Sequence, residues 1–444
     1  MPKSRGAPVA LRTPTWRLTG CASGAISSRP QGTVAGVCMG TGSFGRLGGA
    51  RIAQLFTRLV PLALAATVGC LGPKVRPPVP DEVATKVWSN ARPGDDYHDA
   101  DTDAVAGLAA VMQGAAAPPA GRPQNVLCVS GGGKYAAFTA GALVGWSAAG
   151  TRPTFDVATG VSSGAPTAFL AFLGPKYDRA LSSIFVSLRR SDLFRWRPVR
   201  GVLSGGALMT SAPLEELLGR YIDDEVMADL CAAQADGRRL FIATSNVLTH
   251  RLVVWDLGGI ASSGRPDAKE IVRKVVLAAC SIPGIVPAVK FDVTVDGVRY
   301  QELHADAGNL AQVFVRTNGP LAPGSNVWVL SAGKTHQNRS RQNPGTFETL
   351  VNAVSTALYA LFRADTVKLH ALCRVTNSRF GLIALPDNFE GRSSSMVFDP
   401  EESKRMYLVG YQMGAGGAWE LLPPDTAPGQ TNPPRAGLEF TTQP

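Results

Sequence analysis

Two stretches decide the fold: Val126-Leu127-Cys128-Val129-Ser130-Gly131-Gly132-Gly133 and Phe155-Asp156-Val157-Ala158-Thr159-Gly160-Val161-Ser162-Ser163-Gly164. Each is a short apolar run halted by glycine. The first run has no polar alternation, which predicts a strand buried on both faces. Lys134 to Ala149 follows as an Ala-rich helix that stops at Gly150. Phe155–Thr159 reads as a second strand, and Ala165–Leu173 as a helix with Pro166 in its first turn. The pattern extends outward. Further strands are expected at Leu240–Thr244, Leu252–Asp256 and Val327–Ser331. Helices are expected at Pro213–Ile222, Ala268–Cys280, Phe347–Ala364 and Pro400–Met413. Phe291–Val295 and Arg299–Leu303 flank Asp296-Gly297, a hairpin signal. Strands that alternate with helices predict the α/β class: a three-layer α/β/α sandwich with a mixed, mostly parallel central sheet. Active sites of such sheets lie beyond the carboxyl ends of the strands, where both glycine breaks fall.

Gly160-Val161-Ser162-Ser163-Gly164 fits G-x-S-x-G. A sharp strand-to-helix turn of this kind lifts the serine hydroxyl above the sheet, and Gly160 and Gly164 permit close packing on either side. The structural alternative is an ordinary turn with Ser162 as helix N-cap. Gly131, Gly132 and Gly133 precede Ser162 by about one βαβ unit and leave backbone N–H groups bare, able to face an oxyanion. A nucleotide-phosphate loop is the rival reading. Lys134 follows the third glycine directly, so the G-x-x-x-x-G-K-[ST] pattern is missing, and the last place of G-x-G-x-x-G is Ala136.

A serine hydroxyl needs a base at neutral pH. The five histidines are His98, His250, His304, His336 and His370. Asp306 lies in His304-Ala305-Asp306-Ala307-Gly308, after the hairpin. Two schemes remain open: Ser162 with Asp306 as a dyad, or Ser162, Asp306 and His336 as a triad in α/β-hydrolase order. His304, two residues before Asp306, reads as a supporting or exposed residue.

Taken together, SGGG at 130–133, GVSSG at 160–164, AACSIPGIVPAV at 278–289 and DAG at 306–308 resemble the patatin-like phospholipases in order and spacing. The resemblance covers about residues 125–335, and residues 335–415 look like the C-terminal helical part of a bacterial subgroup. It implies a patatin-like fold and hydrolysis of acyl esters in lipids, of phospholipase A or lysophospholipase type. Ser162 would be the nucleophile, Asp306 its base without a histidine, and the Gly131–Gly133 backbone the oxyanion hole. No metal-ligand set is present in the sequence, so no cofactor, no metal and no need for Ca²⁺ are expected. The partners would be a phospholipid or other acyl-lipid substrate and a membrane surface. The chain departs from the family's pattern at Lys134-Tyr135-Ala136, where x-[Arg/Lys]-Gly is usual, and at Ala307, where the family has Gly. Both exchanges touch backbone geometry. In the family, a stretch like Ser281–Pro287 lines the acyl side of the pocket; as bare sequence it reads as a rigid turn.

The net charge of +10 suggests nucleic acid, but its location argues against it. Ten of the 44 Lys and Arg lie in residues 1–80, which hold no acid, so residues 81–444 carry 34 basic and 34 acidic side chains. No nucleic-acid partner is expected. Seven cysteines without CxxC or metal spacing exclude a disulfide scaffold and a zinc site. Cys128 and Cys280 read as small core residues.

Residues 1–70 read as a leader. From Met39 onward, Arg46, Arg51 and Arg58 precede the apolar run Leu59–Val68 and then Gly69-Cys70. That layout is a secretory signal too short to span a bilayer. Thr67-Val68-Gly69-Cys70 resembles a bacterial lipobox, which would make Cys70 the lipidated residue and place the protein in the cell envelope on a lipid anchor. A plainly cleaved signal, or a buried helix with an incidental cysteine, is the alternative. Residues 71–122 read as a Pro-rich tether, 123–420 as the hydrolase domain and 421–444 as a disordered, Pro-rich tail. Arg189, Arg190, Arg195, Arg197 and Arg200 interleave with Phe194 and Trp196. They read either as a rim meeting lipid head groups or as a solvated loop with one or two buried aromatics. Two other function classes stay open: a Ser-Asp-His esterase and a non-catalytic lipid-binding lipoprotein.

Overall fold

The computed structural model describes residues 79–80, 121–196, 207–316, 321–337, 345–391 and 397–424. The leader with Cys70, nearly all of the 71–122 segment and the tail beyond 424 lie outside the described residues. Everything described belongs to the compact unit Ala63–Pro444.

The core begins with β1 (Asn125–Val129), the glycine loop and α1 (Ala136–Ala148), then β2 (Val157–Gly160) and α2 (Gly164–Leu173). Next come α3 (Asp178–Ser187), α4 (Arg190–Leu193) and a two-residue ribbon of β3 (Arg195–Trp196) with β4 (Met209–Thr210). Helices α5 (Ala212–Tyr221) and α6 (Asp224–Ala235) lead to β5 (Arg239–Asn246) and β6 (Arg251–Asp256). The chain continues through α7 (Leu257–Ala261), α8 (Ala268–Ala279), β7 (Val289–Val295), β8 (Val298–Asp306) and β9 (Asn326–Leu330). It closes with α9 (Thr346–Val375), β10 (Arg379–Ile383) and α10 (Pro400–Ala415).

Eight strands form one sheet in the order β10-β9-β1-β2-β5-β8-β7, with β6 also paired to β5. The run from β10 to β5 is parallel. The joins β5–β6, β5–β8 and β7–β8 are antiparallel. Side chains alternate across the sheet as the period of two requires. Leu127 and Val129 pack on one face with α1, α2, α8 and α10, whereas Val126 and Cys128 pack on the other with α9 and residues 311–315. This is the expected three-layer α/β/α arrangement.

Helices α3 and α6 add to the sequence-based elements, and two further differences fall at the C-terminal end. The segment after 335 is not purely helical, because Arg379–Ile383 joins β9 as the parallel edge strand. The helix expected to end at Ala364 runs on to Val375. Its continuation starts with Asp365, a poor helix former in isolation. Here that buried carboxylate accepts the amide hydrogens of Gln312 at 2.8 Å and Val313 at 3.4 Å. A distant loop therefore satisfies it.

One helix contact holds the α1 face together. Gly141 and Gly145 of α1 meet Gly410 and Gly414 of α10. A Cβ added at Gly145 would lie 2.0 Å from the Tyr411 carbonyl oxygen, and one at Gly414 would lie 2.0 Å from that of Ala142. The two backbones touch without side chains between them, as paired G-x-x-x-G stripes allow. Gly→Ala normally favours a helix by about 1 kcal/mol, but overpacking costs about 1–3 kcal/mol. The obstacle here is backbone, which cannot rotate away. Gly145→Ala is therefore expected to destabilise the protein by about 2 kcal/mol, read as a lower urea midpoint at unchanged slope; a higher midpoint would show that the helices part freely.

Candidate active site

The geometry of the site starts from β5. Residues Phe241 and Ile242 pair with β6 on one edge and with β2 on the other. Residues Thr244 to Asn246 also pair with β6, so β8 must occupy the same edge of β5 as β2 does. Strand β2 runs parallel to β5 and β8 antiparallel, so their carboxyl ends meet head-on. Gly160 ends β2 opposite Ile242, and Asp306 ends β8 opposite Thr244. Only two positions of β5 separate them. Ser162, two residues beyond Gly160, falls into that gap.

There the Ser162 hydroxyl donates to Asp306 Oδ2 at 2.5 Å. Ser162 has φ 52°, a left-handed conformation that a non-glycine residue rarely adopts. It does not act as a helix cap, and the N-cap position of α2 is Ser163, whose side chain caps nothing. The turn is closed by the Gly164 amide on the Val161 carbonyl at 2.8 Å and the Ala165 amide on the Ser162 carbonyl at 2.9 Å. Gly160 and Gly164 are where backbone approaches backbone: an added Cβ would come within 2.7 Å of Ala165 Cα and 2.5 Å of the Ser130 carbonyl oxygen, respectively.

The glycine loop stands beside the serine. A Cβ on Gly131 would lie 2.8 Å from Ser162 Cβ, and one on Gly132 only 1.7 Å from the Ala332 carbonyl oxygen. Ser130 Oγ secures the loop by accepting from the Ala332 amide at 2.8 Å and donating to the Gly131 carbonyl at 3.0 Å. The amides of Gly131, Gly132 and Gly133 donate in none of the hydrogen bonds found among the described residues. The loop's far end is fixed by Lys134, whose buried ammonium pairs with the buried Glu402 carboxylate of α10 at 2.7 Å. Nothing in the sequence announced that pair, since its members are 268 positions apart.

Burial pushes the Asp306 carboxyl up to about 6, although the Ser162 hydroxyl and the Gly308 amide both favour its charged form. The Gly308 amide binds Oδ1 at 2.8 Å, so each carboxylate oxygen has one partner and neither is a histidine. His304 lies on β8 but is fully buried between Trp255 and Phe291. Its Nδ1 bonds Thr244 Oγ1 at 2.9 Å and its Nε2 bonds Glu302 Oε2 at 3.1 Å. It therefore supports the β5–β8 join beside Asp306. His336 Nδ1 bonds Thr335 Oγ1 at 2.9 Å.

An apolar pocket of about 860 Å³, its open mouth included, leads from Ser162. Its walls come from α2 (Phe169, Leu170), α3 (Ile184, Phe185), α4 with the residue after it (Leu193, Phe194) and α5 (Leu214, Leu218). Among the described residues, no charged side chain lines it. Cys280, expected as core filler, is a wall residue, and its thiol lies 3.5 Å from the Ser162 carbonyl oxygen. Ile282 lines the pocket as well, while Ser281 accepts the Asp306 amide at 2.9 Å through its carbonyl. The stretch 281–287 is thus both turn and wall. Helix α3 was missed in the sequence, although Leu181, Ile184, Phe185 and Leu188 follow helical spacing. No group of three or more potential metal ligands occurs among the described residues.

Residues 127–322 match the family described as Patatin-like phospholipase. The chain carries a patatin-like phospholipase domain. Its α/β/α layers and mostly parallel sheet are the arrangement of that family, whose typical activity is lipid hydrolysis. The crystal structure of VipD from Legionella pneumophila is similar over 67% of each chain, with 12% sequence identity and a TM-score of 0.35. No curated protein matches the chain in sequence.

The raised carboxyl of the patatin-like domain has a thermodynamic consequence. An unfolded Asp titrates near 3.9, so the fold disfavours the charged form. The linked stability is full below about pH 4 and is lost as pH rises through about 6. Asp306→Asn stays neutral throughout. It should raise stability at about pH 8 by up to about 3 kcal/mol, and not at about pH 4. Urea unfolding at both values checks this; an equal change at both would contradict the linkage.

Proposed function

We propose that the protein is a lipid acyl ester hydrolase of phospholipase A or lysophospholipase type, working through Ser162 and Asp306. One observation carries the reading: the 2.5 Å hydrogen bond from the Ser162 hydroxyl to a buried carboxylate, beside a pocket whose described walls carry no charged side chain. The apolar walls suit a long acyl chain, and they exclude a phosphate, which would lose its hydration with nothing in return.

In this reading the Ser162 oxygen attacks the acyl carbonyl carbon while Asp306 takes the hydroxyl proton. The carbonyl oxygen becomes an anion facing the bare Gly131–Gly133 amides. Collapse breaks the ester bond, and the protonated Asp306 gives its proton to the departing alcohol. Water then loses a proton to Asp306 and attacks the acyl-enzyme, which releases a fatty acid and restores the serine. A base near 6 suits this work, being ionised at neutral pH yet far stronger than an ordinary carboxylate. The strained Ser162 backbone supports the same reading, since such strain persists where function needs it.

One observation disfavours the Ser-Asp-His alternative: the Ser162 hydroxyl bonds the Asp306 carboxylate directly, with no imidazole between them. We also read the protein as a cell-envelope lipoprotein anchored through Cys70. Radiolabelled palmitate incorporated by the wild type and lost in Cys70→Ser tests that.

A fluorophosphonate probe is expected to label the wild type and to leave Ser162→Ala unlabelled; labelling of both would remove the proposed nucleophile. Turnover should fall by at least about 10⁴-fold in Ser162→Ala and by about 10²–10⁴-fold in Asp306→Asn. It should stay intact in His336→Ala, and collapse there would hand the chemistry to a triad. Gly132→Ala, driven into Ala332, should lose about 10²–10³-fold in kcat. The kcat/KM profile should rise with pH through about 6.

A further inference from the structure

The hydrolase reading leaves one sequence feature unused, the arginine-rich segment around α4 and the β3–β4 ribbon. Its described residues, 189–196 and 207–210, carry three arginines, Arg189, Arg190 and Arg195, and a single acid, Asp192, while residues 81–444 as a whole balance at zero; Arg197 and Arg200 lie outside the described residues. That acid is occupied locally: its carboxylate accepts from the Arg189 amide at 2.8 Å and the Ser191 hydroxyl at 3.3 Å. The segment is two-sided. Leu193 and Phe194 are buried and line the acyl pocket. Arg189, Arg190 and Arg195 are exposed, and Trp196 leaves 55% of its surface in water. On the other strand, the Met209 amide donates to the Ile285 carbonyl at 2.9 Å, which pins the ribbon to the turn that supplies Ile282 to the pocket wall. The indole and the wall residue Phe194 are therefore only about 7 Å of chain apart.

We propose that this ribbon docks the protein on an anionic phospholipid bilayer and sets the mouth of the acyl pocket against it. The inference rests on the hydrolase reading for why a bilayer should be met at this place. The occupant itself is argued from charge. Exposed guanidinium groups match lipid phosphates, as basic segments near membranes do. An exposed indole beside them suits the boundary between head groups and acyl chains, where an amphipathic ring is apolar at one end and wet at the other. A protein partner would need a comparably acidic, aromatic-accepting face, and nothing in the pocket wall below calls for one. A bilayer also holds the acyl chain that the pocket would take.

The test uses the full-length chain, since the basic leader is then the same in every sample. Sedimentation is measured with vesicles of phosphatidylcholine alone and with vesicles that also contain phosphatidylglycerol. The wild type should bind the mixed vesicles more tightly, and salt should weaken that binding. Arg190→Glu/Arg195→Glu should bind the mixed vesicles at least about thirtyfold more weakly. Trp196→Ala should lose binding to both kinds of vesicle. Hydrolysis of a short-chain ester dissolved as monomers should be unchanged in all of these variants. Wild-type binding that ignores phosphatidylglycerol, or a charge-reversed variant that binds like the wild type, overturns the proposal. Vesicle binding that follows these expectations in a protein inert toward every ester would keep the docking surface and sink the hydrolase reading instead.

Discussion

The site depends on one constraint, the sharing of a single edge of β5 by two strands that meet end to end. Backbone hydrogen bonds set that meeting, and Gly160 and Asp306 are held opposite Ile242 and Thr244. Because the side-chain period of a strand is two, a slip of one residue in β8 would turn Asp306 to the opposite face. The slip is opposed from the side as well. His304, Thr244 and Trp255 form a buried hydrogen-bonded chain across β8, β5 and β6, and Phe291 of β7 packs on the imidazole. These side chains help to locate the carboxylate.

Around that junction the fold holds groups in positions they would not choose alone. Ser162 stands at positive φ, and Asp306 is buried with a charge to carry. Each is unfavourable locally, so the surroundings must over-determine it. The α1–α10 contact does much of this, since helices that touch backbone to backbone leave little freedom to shift. Lys134 and Glu402 extend the same contact to the glycine loop. Burying such a pair gains little net stability against an apolar replacement, because desolvation opposes the attraction. Its direction and length nevertheless set where the loop ends.

Polarity is distributed in the same spirit. Inside, Ser162 lines a mostly aliphatic and aromatic cavity, with the buried Asp306 carboxylate behind its hydroxyl, and low dielectric strengthens whatever charge forms there. Outside, within two residues of Phe194, arginine and tryptophan face water. The short extended stretch after α4 separates these environments across the thickness of one chain.

The sequence by itself determined the α/β class, the position of most strands and the candidate residues of the site. Those properties are local: apolar runs halted by glycine, a serine between two glycines, an aspartate at the end of a hairpin strand. Helix α3, the edge strand β10 and the second half of α9 were less legible. They are completed by distant partners, as when Asp365 is satisfied by the amides of Gln312 and Val313. Choice of partner was decided only by the tertiary structure. The motifs left Asp306 and His336 both available to Ser162, and the β5 edge brought the aspartate to 2.5 Å. Lys134 read as a loop cation, and burial against Glu402 made it a tether. Such outcomes depend on which distant backbone segments share an edge or a face, a relation set by the folded chain as a whole and carried by no single stretch of residues.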